Sequence, residues 1–467
     1  MACMSDAEQR ERAELEKLSK AELIDLVIEL RRALRALEER VARLEGGSSR
    51  AGKRPPLKGT GPGRKPGQGP FSRRLAPAPE DITTVVEVPL ESPLCPDCGA
   101  TLECLVEEAT VTDVPSVPKP LITLYRRQTG RCPQCGATVR AAHPDLRPGQ
   151  HGACAHQVGP GIKALALVLH VHNGVPVRKV PAVLQTLCGA GLTQGALTRM
   201  ELDLAAGAAA PVYEGLREHL RGQKVVNTDD TGWRVGGKGA HLMGFFSKDT
   251  AIYQIRPRHR NEEVREVIGD DFAGILGTDR GKSYDAWELD AVAQQKCLSH
   301  LLRNLKEVEE KKKGAAVRFS RKVKESLQRG LALWWQHKRG EMDLKTYLEA
   351  GREIEDELVL LLRPRVMKDA DNQRLLDGVG WQNDRGRVLL FLRDPAVEPT
   401  NNVAERMLRP AVIARKVSQC SKNEAGAGAY AVLKSLCVTW TLRGLNVAQE
   451  FLTLLGGKPP ASSPVAS

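Results

Sequence analysis

Apolar residues at positions 23, 27, 30, 34, 37, 41 and 44 alternate spacings of four and three, the period of a helix with one apolar seam. Ser19 and Glu22 form a capping box at its start. Val27, Leu34 and Val41 take the a positions, and Leu23, Leu30, Leu37 and Leu44 take the d positions. Residues 1–46 are therefore expected to hold a leucine-zipper helix that leans toward a parallel coiled-coil dimer. One amphipathic helix packed on its own domain is the competing reading. The pattern then stops, and residues 47–80 are a Gly- and Pro-rich linker. Eight basic residues fall between 46 and 79, Lys53, Arg54, Arg64 and Lys65 among them, with no acid. Such a segment buries no core. It is either a solvated tether or a DNA-touching arm whose cations meet phosphates.

Residues 81–150 open on a β-like stretch, Asp81 to Val88, and carry two turns of the same make, Cys95-Pro-Asp-Cys98-Gly99 and Cys132-Pro-Gln-Cys135-Gly136. Each points two thiolates at one place. Two such turns predict one closed tetrahedral zinc site with a structural role. Cys104 is read as a spare buried thiol. Residues 151–222 have the helical period throughout. Val180–Leu187, a Gly-Ala-Gly-Leu turn and a helix capped by Thr193 have helix-turn-helix spacing, and a plain helical hairpin fits equally well.

From residue 223 the period falls to two. Strands are expected at Lys224–Thr228, Leu242–Ser247, Ala251–Ile255, Gly274–Thr278 and Val292–Lys296. Helices are expected at Asn261–Ile268, at Tyr284–Leu289 and from His300. The order β-β-β-α-β-α-β-α is that of a ribonuclease-H-like fold, in which the first and fourth strands are neighbours. Asp229 and Asp279 should then stand side by side at two strand ends. Carboxylates so placed repel. Oxygen ligands without nitrogen or sulfur select magnesium or manganese, which serve in-line displacement at phosphorus. A helix opening at Pro399-Thr400-Asn401-Asn402-Val403-Ala404-Glu405-Arg406 offers Glu405 as the third carboxylate, with Asn401 and Asn402 on the same face. Taken singly, the three are a turn, a loop cap and a capping box. The strand order joins them into a site.

Composition narrows the class. Lys plus Arg total 69 against 57 for Asp plus Glu, a net charge of +12, a modest basic excess that suits nucleic acid. An aromatic share of 4% argues against a protein built on base stacking. Met1 to Leu18 is charged and holds no apolar stretch, so a signal peptide is not expected. No apolar run is long enough to cross a bilayer. Eleven cysteines in such a chain suggest reduced thiols and metal sites in a cytoplasmic protein.

The zipper, the basic segment around Gly63-Arg64-Lys65-Pro66-Gly67, the paired knuckles, Asp229-Asp230-Thr231-Gly232-Trp233, Gly277-Thr278-Asp279, Cys297-Leu-Ser-His300 and Asn401-Asn402-Val403-Ala404-Glu405-Arg406 followed by Arg415-Lys416 together resemble the transposases of the insertion-sequence 66 family. The resemblance spans nearly the whole chain. It implies a bacterial-type, nucleoid-associated DDE enzyme that cuts and joins DNA, with Asp229, Asp279 and Glu405 as a magnesium-binding triad. Asp230 departs from the Asp-Glu-Thr-Gly usual in that family. Arg406, Arg409, Arg415 and Lys416 follow Glu405 and are candidates to grip the scissile strand. Cys297 and His300, one helical turn apart, are read as structural or supporting.

The chain is thus expected to be a multidomain α+β protein. A ribonuclease-H-like core at 223–420, with a helical insertion at about 303–390, is expected to precede a C-terminal helical region and tail at 421–467. The partners expected are double-stranded DNA, element ends and target, and a second copy or more of the same chain. A repurposed zinc-containing DNA-binding protein without activity is the alternative.

Overall fold

The structure is a computed structural model. It describes residues 157–456 without a break, together with 119–126, 128–143, 146 and the single positions 79, 82 and 85. The expected zipper helix, the basic residues Lys53, Arg54, Arg64 and Lys65, and the first knuckle with Cys95 and Cys98 lie outside the described residues. Contacts divide the chain into two compact units, Met1–Thr112 and Asp113–Ser467. Every element named below belongs to the second.

That unit is a mixture of helices with one mixed sheet. A small hairpin comes first, with β1 (Thr129–Arg131) antiparallel to β2 (Thr138–Arg140). Helices α1 (Pro160–Leu167), α2 (Val180–Cys188), α3 (Gln194–Ala206) and α4 (Ala209–Arg221) follow, α1 running on as a π-helical turn, Val168–His172. The Thr193 hydroxyl accepts the Ala196 N–H at 3.1 Å and caps α3, as its place before the apolar period predicts.

The sheet has five strands in the order β5-β4-β3-β6-β7. They are β3 (Val225–Val235), β4 (Lys238–Phe246), β5 (Ala251–Arg256), β6 (Ile275–Thr278) and β7 (Ala293–Lys296). β3, β4 and β5 form an antiparallel meander, and β6 and β7 extend β3 in parallel. The first and fourth sheet strands are neighbours, as the element order predicts. β3 is longer than its apolar stretch suggests. It continues through Asp229 to Val235 because Gly236 and Gly237, both at positive φ, turn it straight back into β4. Asp229 therefore lies within a strand, and only Asp279 stands at a strand end. The segment read as one helix at Tyr284–Leu289 is two short 3-10 turns, Lys282–Asp285 and Trp287–Leu289.

Both faces of the sheet are covered, which is why β4 reads Leu-Met-Gly-Phe-Phe with little alternation. Met243 and Phe245 enter one core with α1, α3, α4, α5 (Asn261–Ile268) and the C-terminal helices α12 (Glu424–Leu442) and α13 (Val447–Leu454). Leu242 and Phe246 enter the other, under Ala404, Leu408 and Ala411 of α11 (Asn402–Ser418). Helices from both ends of the described chain thus share one apolar core with the sheet.

Between β7 and α11 runs a helical insertion. It comprises α6 (Leu298–Lys311), α7 (Arg318–Lys338), α8 (Leu344–Leu361), α9 (Ala370–Asp384) and the short α10 (Leu390–Arg393). It packs a core of its own, in which Leu305, Val323, Leu327, Tyr347, Leu358 and Phe391 are buried. Its return is tied to β7. The Lys296 N–H donates to the Arg387 carbonyl at 2.7 Å, and the Gln295 side chain bonds the Val388 carbonyl at 2.8 Å and the Phe391 N–H at 3.1 Å. Among the described residues no helix is long and apolar enough to cross a membrane.

Candidate active site

β3 and β6 pair over three residues only, Val225 with Ile275, Val226 with Leu276 and Asn227 with Gly277. Asp229 and Asp279 stand two residues further along, in the same register. Gly277 makes room beside β3. A Cβ there would sit 2.2 Å from the Asn227 Oδ1, so Gly277 leaves the space that the Asn227 side chain fills. One Asp279 oxygen accepts the Gly281 N–H at 2.8 Å, which holds the carboxylate in the turn after β6.

Glu405 comes from the first turn of α11. That turn is pinned by buried Asn401. Its side-chain amide donates to the Thr228 carbonyl at 2.7 Å, one residue before Asp229, and its backbone N–H donates to the Cys297 thiol at 3.2 Å. The Leu298 N–H reaches the Pro399 carbonyl at 2.9 Å alongside. Asn401 is thus a fastener between helix and strand. Cys297, 1% exposed, accepts a hydrogen bond at the same junction.

Asp229 feels the charges of the other two carboxylates. Burial raises the Asp229 carboxyl to about 7, against the N–H bond from Asp230, and the charges of Asp279, Asp230 and Glu405 add to the rise. Asp230 has the opposite setting. Its two oxygens take the Nδ1 atoms of His241, at 2.8 Å, and His259, at 3.1 Å. Burial pushes it up, but those two bonds more than reverse the effect and leave it below its usual value. Neither histidine stands out in the sequence. His241 becomes visible only once β4 is known to begin at Lys238 and to pair His241 with Gly232.

Asp229, Asp230, Thr231, Glu405, Leu408, Arg409 and Val412 line a cleft of about 270 Å³. Of the four cations proposed to follow Glu405, only Arg409 lines it. Arg406 and Lys416 are exposed elsewhere on α11. Arg415 is engaged with β3, bonding the Thr231 hydroxyl at 3.2 Å and the Gly232 carbonyl. Asp229 and Glu405 thus line the cleft and Asp279 does not; the carboxylates there offer oxygen donors, the kind that suits a hard divalent cation.

Away from the cleft, Cys132 and Cys135 sit in the turn joining β1 to β2. Backbone N–H groups of Cys135 and Gln134 reach the Cys132 sulfur and hold its thiol below the usual value. The Gly136 N–H closes the turn on the Cys132 carbonyl at 3.0 Å, with Gly136 at φ +73°. This is a local geometry that suits thiolate ligands.

No match was found among curated proteins. Among solved structures, a magnesium complex of the HTLV-2 integrase catalytic core domain in its dimeric form is similar over 32% of this chain and 94% of its own, at 10% identity and a TM-score of 0.14. A likeness of that size carries no argument about fold or chemistry. The transposase IS66 family matches residues 155–429, more than half of the chain and every element of the cleft, and the chain belongs to that family.

Proposed function

We propose that the chain is a DDE transposase that cleaves DNA strands at the ends of a mobile element and transfers them to a target. The reading takes residues 223–420 as a ribonuclease-H-like core with Asp229, Asp279 and Glu405 as its triad. One observation carries it. Asp229 and Glu405 line one cleft, β3 and β6 pair in a register that sets Asp279 level with Asp229, and burial, with the charges of Asp279, Asp230 and Glu405 adding to it, raises the Asp229 carboxyl to about 7. Magnesium fits this set, and manganese is the nearest substitute, because all the donors are oxygens. When bound there, such an ion supplies charge to the attacking and leaving oxygens of a phosphodiester.

The chain's own residues do the rest. Asn401 sets the reach of Glu405. The Gly281 N–H orients Asp279. Arg409 faces the cleft and is read as gripping the scissile strand, with Arg406 and Lys416 beside it on the exposed part of α11. Arg415 holds β3 to α11 and acts through that strand. Cys132 and Cys135 are read as zinc ligands. Cys132→Ser should lower zinc content in metal analysis without touching the cleft, and unchanged zinc would remove that part of the reading. The chain's partners are double-stranded DNA and, through the N-terminal zipper, further copies of the same chain.

Purified protein with a labelled element end and a target plasmid tests the whole. Joined product is the expected result. Cut product alone would make it a nuclease, and a mobility shift without cutting would make it a binding module. Asp279→Asn keeps the shape and removes a charge, so cleavage should fall by orders of magnitude with DNA binding unchanged. Asp230→Asn, held apart by its histidines, should retain much of the activity. Triad variants that still cut and join DNA would end the proposal.

A further inference from the structure

A second set of donors converges beside the triad. Asp230, His241 and His259 each present a ligand atom, and these three atoms lie within 4.8 Å of one another. They come from three places: Asp230 from β3, His241 from β4, and His259 from the loop after β5. Both imidazoles turn the same atom, Nδ1, to the carboxylate, at 2.8 and 3.1 Å. Their rings lie 5.8 Å apart at 47°, so they flank Asp230 without stacking on each other. The His259 side chain is only 10% exposed and rests edge-on against the buried Tyr284 ring, at 5.4 Å and 72°. The Nε2 of His259 is buried without a hydrogen-bond partner, so all its polar reach is spent on the Asp230 side.

One histidine would suffice to hold Asp230 away from Asp229. Two, brought from a strand and a loop to one carboxylate, make a different object. We propose that Asp230, His241 and His259 form a second metal site, selective for a divalent transition-metal ion of the zinc and cobalt class. Two imidazoles and one carboxylate favour such ions over magnesium, which prefers oxygen alone. Three protein ligands leave the remaining positions open to water. The ion would join β3, β4 and the loop after β5 one residue from Asp229, bracing the strand that carries the cleft. This site does not depend on the DDE reading and uses none of its ligands.

Cobalt binding tests it in the full-length protein. Cobalt held by thiolates shows sulfur charge-transfer absorption, which reports the cysteine knuckles separately from a nitrogen and oxygen site. Wild type should take up one cobalt equivalent without that absorption. His241→Ala and His259→Ala should each weaken this equivalent by more than about 100-fold, since even supporting residues around a metal are worth 10–100-fold. Zinc should raise the melting temperature of wild type by more than that of either variant. His241, at 40% side-chain exposure, can be removed without a buried cavity, so the test survives if His259→Ala fails to fold. Equal cobalt uptake by wild type and His241→Ala, or none outside the thiolates, would overturn the proposal and leave a hydrogen-bonded buttress.

Discussion

Asp229 carries a cost that its burial imposes and its acidic neighbours add to. Its carboxyl is raised from 3.8 to about 7, so the folded protein resists an ionisation that the unfolded chain accepts. Below about pH 4 both states hold the proton and nothing is lost. As pH rises toward 7 the unfolded chain ionises first, and stability falls until the folded carboxyl ionises too. In chelator, melting temperature should therefore drop between pH 4 and 7 by more in wild type than in Asp229→Asn. Magnesium should recover the loss above pH 7. Each kcal/mol recovered is worth about 2–4 °C in a unit of this size. Calorimetry across that range checks it, and equal slopes in the two proteins would refute it. The aspartates themselves were legible in the sequence, because a strand followed by a paired acid is a local pattern. The histidines that hold Asp230 were not, since they come from a hairpin return and a loop whose register only the folded sheet reveals.

At the scale of elements, the site depends on how α11 meets β3. The sequence offered Asn401 and Asn402 as two residues on the face of Glu405. The structure separates them, with Asn401 buried and bonded to the Thr228 carbonyl and Asn402 exposed. Asn401→Ala removes that bond and leaves a buried carbonyl unpaired, a loss of about 1–3 kcal/mol. Cleavage should fall further than that instability explains, because Glu405 loses its fixed reach. Activity measured well below the melting temperature separates the two effects, and normal cleavage would show that α11 is held by its apolar face alone. Strand existence and order were readable from the two-residue period. Strand length was not, since Thr231, Gly232 and Arg234 give no apolar signal. They stay in β3 because β4 pairs with each of them and Arg415 bonds the Gly232 carbonyl. The one helix expected at 284–289 breaks into two turns for a similar reason: Asp285 is turned inward to meet Lys296, and Ala286 is extended between them.

On the scale of the whole unit, the insertion must leave β7 and return to α11 without disturbing the cleft between them. Its apolar core takes Val225 of β3 and Ile275 of β6 at its edge, and a few polar contacts at its return add to that hold. Fully buried Lys296, the last residue of β7, pairs with Asp285 at 2.9 Å. Buried Arg387, on the returning chain, pairs with Asp290 at 2.8 Å and lies 3.7 Å from Asp285. Gln382 of α9 donates to both Asp285 oxygens at 3.0 Å. Asp285 is thus shared by the sheet and the insertion. Burial lowers the Lys296 ammonium from its usual value, and the Asp285 carboxylate only partly offsets this. Asp285→Asn would leave two buried cations without their common anion. Breaking a buried pair from one side costs about 3–5 kcal/mol, more than replacing both partners would. Asp285→Asn should therefore melt well below wild type, and Asp285→Asn with Lys296→Met should recover part of the loss. Hydrogen exchange should show the weakening first in α9 and the Arg387 segment, with the antiparallel strands β3, β4 and β5 still protected. If protection is instead lost evenly across sheet and insertion, the insertion is an inseparable part of the core and not a body fastened to it.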